Sequence, residues 1–427
     1  MTTRLLLMVS AVLFSASAHA STAIEVAGIP LEFVLFAGTL LSVALFHHHT
    51  LRVALIGLST ISLYKIVFTG FPEGAGVLGW VLHLQHEWVV LINLLGLLLG
   101  FALLARHFED SHVPHILPRY LPADWKGAFV LLVMVFVLSA FLDNIAAALI
   151  GGTVAANVFR RRVHIGYLAA IVAASNAGGS GSVVGDTTTT MMWIKGVAPL
   201  DVLHAYAGAI PALLLFGVIA ARQQHAWQPI HRDSQNEQPI DWMRIAIVLW
   251  ILLAVITTNV VVNTHYPTLA DTFPFLGVAV WLAIVLAAPV RKTEWRLLPD
   301  ALRGSVFLLS LVVCASMMPV ERLPEPSWQT AFGLGFISAV FDNIPLTAMA
   351  LKQDGYDWGV LAYAVGFGGS MMWFGSSAGV ALSNLFPEAR SVSGWLRHGW
   401  HITVAYIVGF FIMLAVVGWH PGLPLKI

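Results

Sequence analysis

The sequence predicts an all-α integral membrane fold made of two inverted-topology repeats, each with a re-entrant hairpin and a broken transmembrane helix. Three observations carry this prediction. Of 427 residues, 58% are hydrophobic and only 10% charged, against roughly 25% charged in an ordinary soluble chain. The long apolar runs fall into two series of six, and the fourth and fifth runs of each series carry the same polar motifs in the same order. The apolar content excludes a soluble enzyme. Lys+Arg and Asp+Glu balance at 22 each, so there is no basic footprint for nucleic acid. The single cysteine, Cys314, allows neither an internal disulfide nor a cysteine-based metal site.

Taken in order, residues 1–20 read as an export signal: Arg4, an apolar run from Leu5 to Phe14, and the small-x-small end Ala18-His19-Ala20. That run is shorter than the ~20 residues a spanning helix needs. The first repeat occupies 21–222, with apolar runs at 28 to 46, 53 to 69, 88 to 105, 127 to 159, 166 to 197 and 204 to 221. Residues 223–243, which include the polar stretch His231, Arg232, Asp233, Gln235, Asn236, Glu237 and Asp241, form a cytoplasmic linker. The second repeat occupies 244–427, with runs at 244 to 262, 273 to 289, 304 to 319, 328 to 351, 360 to 386 and 400 to 418.

The duplication rests on two motifs. The fourth runs carry Asp143-Asn144 and Asp342-Asn343; the fifth are broken at Gly178-Gly179-Ser180 with Gly185-Asp186-Thr187, and at Gly368-Gly369-Ser370 with Gly375-Ser376-Ser377. From Gly178 to Gly185 and from Gly368 to Gly375 the interval is 7 in both cases. A spanning helix over 127 to 159 would put Arg119 and Lys126 on one side and Arg160-Arg161-Arg162 on the other, which the positive-inside rule disfavours. A hairpin with Asp143-Asn144 at its tip keeps both ends inside, and its counterpart over 328 to 351 keeps both ends outside. Each half then crosses five times, and odd parity inverts the second half.

The breaks point to a cavity, because exposed backbone at membrane depth is tolerated only against protein or a watery space. Gly178, Gly179 and Gly369 allow close backbone approach, and Ser370, Ser376, Ser377 and Thr187 offer neutral oxygen ligands. Asp143, Asp186 and Asp342 stand in apolar runs, where a charge costs at least ~2.5–3.5 kcal/mol at a helix centre. Hard oxygens with carboxylates suit a small hard cation, with which H+ competes for the same acid. The plainer reading of each Asp-Asn is a helix cap, and Thr187 to Thr190 is equally a helix start capped by Asp186. Glu32 and Lys65 are expected to snorkel from span ends.

The histidines His47-His48-His49, His83, His86, His107, His112 and His115 suggest a membrane di-iron enzyme as a remote alternative. That reading leaves the glycine breaks and the duplication unexplained. An intramembrane aspartyl protease fails because position 183 is Val where its Gly-x-Gly-Asp motif needs glycine.

Asp143-Asn144, Ser175-Asn176-Ala177-Gly178-Gly179 with Gly185-Asp186-Thr187-Thr188-Thr189, and Phe341-Asp342-Asn343-Ile344-Pro345 together resemble the ion transporter superfamily. Within it the chain is similar to D-type sodium/proton antiporters and citrate-transporter-like permeases, over nearly all of its length after the signal. The resemblance implies a homodimeric, multi-pass protein of the cell inner membrane, working by an elevator-like movement. It carries Asp143, Asn144, Asn176, Asp186, Thr187, Asp342 and Asn343 into the site, with Asp143, Asn144, Asp342 and Asn343 as Na+ ligands. Carboxylate-transporting relatives have Ser-Asn-Thr at the hairpin tips, where an aspartate repels an anion. The expected function is therefore Na+ (or Li+) exchange for H+, with no cofactor, and Asp143 and Asp342 binding ion or proton alternately. The alternative is a citrate, dicarboxylate or metal-citrate symporter driven by Na+ or H+; a membrane protein of signalling or assembly that kept the fold is the reading outside transport.

Overall fold

A computed structural model of the chain describes residues 24–46, 49–113, 121–231, 239–266, 268–270 and 272–422. The expected signal at 1–20, and His47, His48, His115, Arg119 and Arg232, lie outside these residues. A short hairpin pairs β1 (Glu25–Val26) with β2 (Ile29–Pro30). Among the described residues, every later regular element is a helix apart from one isolated bridge between Phe71 and Gly74, as expected of a chain that must satisfy its own backbone in lipid.

The first series runs α1 (Leu31–Leu45), α2 (Thr50–Tyr64) with a π turn at Lys65–Thr69, α3 (Gly76–Glu109), α4 (Trp125–Ser139), α5 (Asn144–Val158), α6 (Ile165–Ser180), α7 (Thr187–Ile194), α8 (Pro199–Leu203) and α9 (Tyr206–Trp227). The second runs α10 (Trp242–His265), α11 (Phe275–Ala287), α12 (Leu298–Ser316), α13 (Trp328–Ser338), α14 (Asn343–Gln353), α15 (Trp358–Gly368), α16 (Ser377–Leu385) and α17 (Val392–Val416). Among the described residues, Thr50–Thr69, Gly76–Glu109, Pro199–Trp227, Trp242–Asn263, Trp295–Ser316 and Val392–Val416 are long and apolar enough to cross a membrane. The chain is a multi-pass, all-α membrane protein.

The interruptions fall at the motifs. Helix α4 ends at Ser139 and α5 starts at Asn144, each of 15 residues; at 1.5 Å per residue either is about 22 Å long, short of the ~30 Å hydrocarbon layer. Helices α13 and α14 have 11 residues each and flank Asp342 in the same way. Helix α6 stops at Ser180 and α7 begins at Thr187, while α15 passes through a tight turn at Gly369–Met371 before α16.

Helix α3 differs most from expectation. It begins at Gly76, far ahead of the apolar run at 88 to 105, because its first turns carry polar residues that pair inside the protein. Buried His83 lies 3.1 Å from Glu73 and 2.9 Å from the Ser316 hydroxyl, and Glu87 lies 3.7 Å from Lys195. Glu32 and Lys65 are also corrected. They are 3% and 6% exposed, packed within the protein rather than snorkelling, with Lys65 over the Phe71 ring. A hydropathy reading gives depth in the bilayer but not which neighbours cover a side chain.

Contacts at the helix ends orient the hairpins. The foot of α3 joins the start of α10 through Asp110 and Arg244, 3.2 Å apart, and Asp241 in turn bonds Arg291 at 2.9 Å. The Arg291 guanidinium holds the Asp241 carboxyl below its ordinary range. The open end of the first hairpin sits by the chain leading into α10, where His231 N–H donates to the Val158 carbonyl at 2.7 Å. The open end of the second sits at the head of α3: Lys352 Nζ donates to the Ser316 and Met318 carbonyls, both at 2.7 Å, beside His83. The two hairpins thus open toward opposite ends of α3. Packing crosses between the halves, with α5 against α16, α14 against α7, α6 against α15, and α9 against α17.

Candidate ion-binding site

The same local devices hold the site in both halves. Ser139, four residues before Asp143, donates its hydroxyl to the Ser175 carbonyl at 2.6 Å; Ser338, four residues before Asp342, donates to the Val365 carbonyl at 2.7 Å. Ser175 and Val365 each stand three residues before the first glycine of their triplet. These serines clamp each hairpin to its own broken helix. Backbones then touch: a Cβ on Gly178 would lie 2.1 Å from the Phe136 carbonyl oxygen, and one on Gly368 would lie 2.4 Å from that of Gly335. A Cβ on Gly179 or Gly369 would strike the carbonyl of Gly185 or Gly375, at 2.5 and 2.7 Å. Only glycine permits this approach.

The break after α6 leaves carbonyls that the next helix reclaims. Thr189 and Thr190 donate hydroxyls to the Ser182 and Val183 carbonyls at 2.6 and 3.0 Å, and Tyr206 donates to that of Gly178 at 2.8 Å. Asp186 caps α7 by accepting from Thr188 N–H at 3.0 Å. The cap reading of Asp186 is therefore correct and incomplete. Its second oxygen accepts the side-chain amides at both hairpin tips, from Asn144 at 3.1 Å and Asn343 at 3.4 Å, and the residue is 2% exposed.

Asn176 completes the network. Its carbonyl oxygen accepts from Asn144 at 3.1 Å, and its amide donates to the Ser370 and Ser376 hydroxyls, both at 3.0 Å. Asn144, Asn176, Asp186, Asn343, Ser370 and Ser376 thus form one buried polar cluster drawn from both halves. Asp342 stands beside it, its carboxylate accepting from Ile344 N–H and the Ser377 hydroxyl, each at 3.0 Å. Asp143 is placed differently. It occupies the N-cap position of α5, and with Asp186, Val184, Thr187 and Thr190 it lines a cleft. The opposite wall is wholly apolar, built by Leu94, Leu97, Leu98 and Phe101 of α3.

All thirteen expected residues therefore lie in or against this region, in unequal roles. Residues that sequence reasoning missed include Ser139 and Ser338, whose matched spacing from the aspartates was available as a signal, and the apolar wall of α3, which had none. The described histidines stay apart: His83 binds Glu73 and Ser316 at the head of α3, while His107 meets Arg244 at its foot. Among the described residues no group of three or more His, Cys, Asp or Glu is arranged to hold a metal ion, so Asp143, Asp186 and Asp342 do not converge on one point.

No protein-family model matches the chain. Sodium/proton antiporter 1 of Arabidopsis thaliana is 25% identical over 407 residues, 86% of this chain and 69% of that protein. The Na(+)/H(+) antiporter NhaD of Alkalimonas amylolytica is 25% identical over 334 residues, covering 65% of this chain and 67% of its own length. That of Vibrio parahaemolyticus is 24% identical over 342 residues, covering 68% and 78%.

Proposed function

We propose that this chain, which resembles D-type sodium/proton antiporters over most of its length, is a secondary active transporter exchanging Na+ (or Li+) for H+. Its proposed setting is the cell inner membrane. The observation that carries the reading is the pair Asp143 and Asp186 on one cleft with an apolar opposite wall. Two carboxylates so placed need positive charge between them, and a proton or a Na+ can supply it. Binding one expels the other, which is the essence of exchange. The Thr187 hydroxyl adds a neutral oxygen to a donor set suited to small hard cations. A citrate or dicarboxylate substrate fits poorly, because it would meet negative charge on the only polar wall. The testing experiment is flux in proteoliposomes with a pH dye, comparing Na+, Li+, K+ and citrate. Proton movement driven by Na+ and Li+ is expected; citrate uptake without cation-driven proton movement would overturn the reading.

We further propose that the two hairpins are re-entrant, that the halves are inverted repeats, and that the hairpins with the broken helices move as an elevator against α3 and α10 to α12 in a homodimer. Hairpin helices of 11 and 15 residues, and open ends at opposite ends of α3, support this. The apolar face that α3 turns to the cleft gives a travelling ion nothing to bind. Single cysteines at 124 and 161 are expected to react with an impermeant thiol reagent from the cytoplasmic side only, and cysteines at 327 and 353 from the opposite side only. Cys314 is buried and stays silent. Labelling of 124 and 161 from different sides would make the first hairpin a crossing.

Asp186→Ser, which copies the second half onto the first, is expected to raise the half-saturating Na+ concentration at least tenfold, about 1.4 kcal/mol. It removes one of the two acids and the shared acceptor of Asn144 and Asn343. An unchanged Na+ dependence would leave Asp186 as a helix cap and nothing more.

A further inference from the structure

The two halves are not equivalent at their centres. Counting from the glycine triplets, Asp186 corresponds to Ser376, and Asn176, two residues before Gly178, corresponds to Gly366, two before Gly368. The cross-packing sets each of these against the other half. Gly366 faces Asp186, where even an added Cβ would stay 3.6 Å from the carboxylate oxygen. Asn176 faces Ser376 and fills the corresponding space, its amide 3.0 Å from that hydroxyl and 3.0 Å from that of Ser370.

The chemistry of this filling is specific. A cation site needs lone pairs that converge on a point, whereas a primary amide nitrogen has none to give and two N–H groups to place. Here those N–H groups are directed at the two hydroxyl oxygens that would otherwise serve as ligands. Ser376 Oγ also accepts from Gly379 N–H at 3.3 Å. Asn176 is 0% exposed, and both of its amide N–H groups are used. The first half, in contrast, places Asp143 on a cleft shared with a second acid, Asp186.

We infer that Asn176 stands in the second half where a cation would stand in a symmetric protein, so that each chain binds a single monovalent cation, on the Asp143 and Asp186 side. Asp342 is then held by hydrogen bonds without an ion. The inference rests on the antiporter reading above and deepens it by fixing the number and place of bound ions.

Equilibrium binding of radiolabelled Na+ to the purified full-length protein at alkaline pH tests it. One Na+ per chain is expected. The double variant Asn176→Gly with Ser376→Asp makes the second half repeat the first, and is expected to bind two. Two Na+ per chain in the unaltered protein overturns the inference while leaving antiport intact, as does a folded double variant that still binds one. No saturable Na+ binding, together with no Na+-driven proton flux, overturns the antiporter reading itself and the inference with it. If the double variant does not fold, the count for the unaltered protein decides alone.

Discussion

Proteoliposomes carrying Asp143→Asn are expected to lose Na+-driven proton movement by at least about 100-fold, equivalent to roughly 2.7 kcal/mol at ~1.4 kcal/mol per decade, while the purified variant melts where the unaltered protein does. The substitution changes one oxygen for an amide and keeps the shape. Asparagine is as good an N-cap residue as aspartate, so the start of α5 at Asp143 keeps its cap residue. What disappears is the negative charge that makes the cleft bind either a proton or a Na+. With one acid left, the cleft no longer exchanges one cation for another across the same pair. Flux and melting measured on the same preparation separate a lost ion site from a damaged fold. Exchange at the normal rate in Asp143→Asn would mean that the aspartate is a structural feature of the turn.

The largest effects on folding are expected from Gly178→Ala and Gly368→Ala. In each case the new Cβ meets a carbonyl oxygen of the facing hairpin, at 2.1 and 2.4 Å, and a backbone oxygen has no rotamer by which to withdraw. Overpacking of this kind costs about 1–3 kcal/mol, and the adjacent clamps, Ser139 to Ser175 and Ser338 to Val365, are strained with it. Both variants should show a lowered melting temperature and a smaller monodisperse fraction in detergent. Gly304→Ala in α12 is the control. It is exposed with nothing near its missing Cβ, and alanine favours a helix over glycine, so its stability should be equal or slightly higher. Equal losses at all three positions would mean that helix propensity and not backbone approach governs these glycines.

The aspartates and glycines were legible because a polar or breaking residue stands out against a long apolar run, and because the duplication supplied each with a second instance. Asp143, Asp342, Gly178 and Gly368 were found in that way. Asn176 was carried over by resemblance alone: its counterpart is Gly366, so the duplication was silent about it, and its partners Ser370 and Ser376 are 194 and 200 residues away. The difference between Asp143 and Asp342 was not legible either, since identical Asp-Asn pairs stand in both hairpins and what separates them is the surroundings: a cleft shared with Asp186 around Asp143, and the Ser377 hydroxyl on Asp342. The early turns of α3 and the burial of Glu32 and Lys65 were hidden for another reason. A polar residue covered by the protein reads, by hydropathy, the same as one facing water.

The cross-packing of the halves bears on how the protein is made. During synthesis the first half enters the membrane with Asn144, Asn176 and Asp186 already at depth, but Asn343, Ser370 and Ser376 are supplied by chain not yet translated. Until they arrive, the Asn176 amide has no acceptor for either N–H and α5 has no α16 to cover it. An unpaired buried amide costs on the order of 2–7 kcal/mol in an apolar medium, so the half-made protein is an unstable species that insertion machinery must shelter. Chains that terminate before α15 should be recognised by membrane proteases through these open polar groups, and quality control would then act on the centre of the molecule instead of its ends.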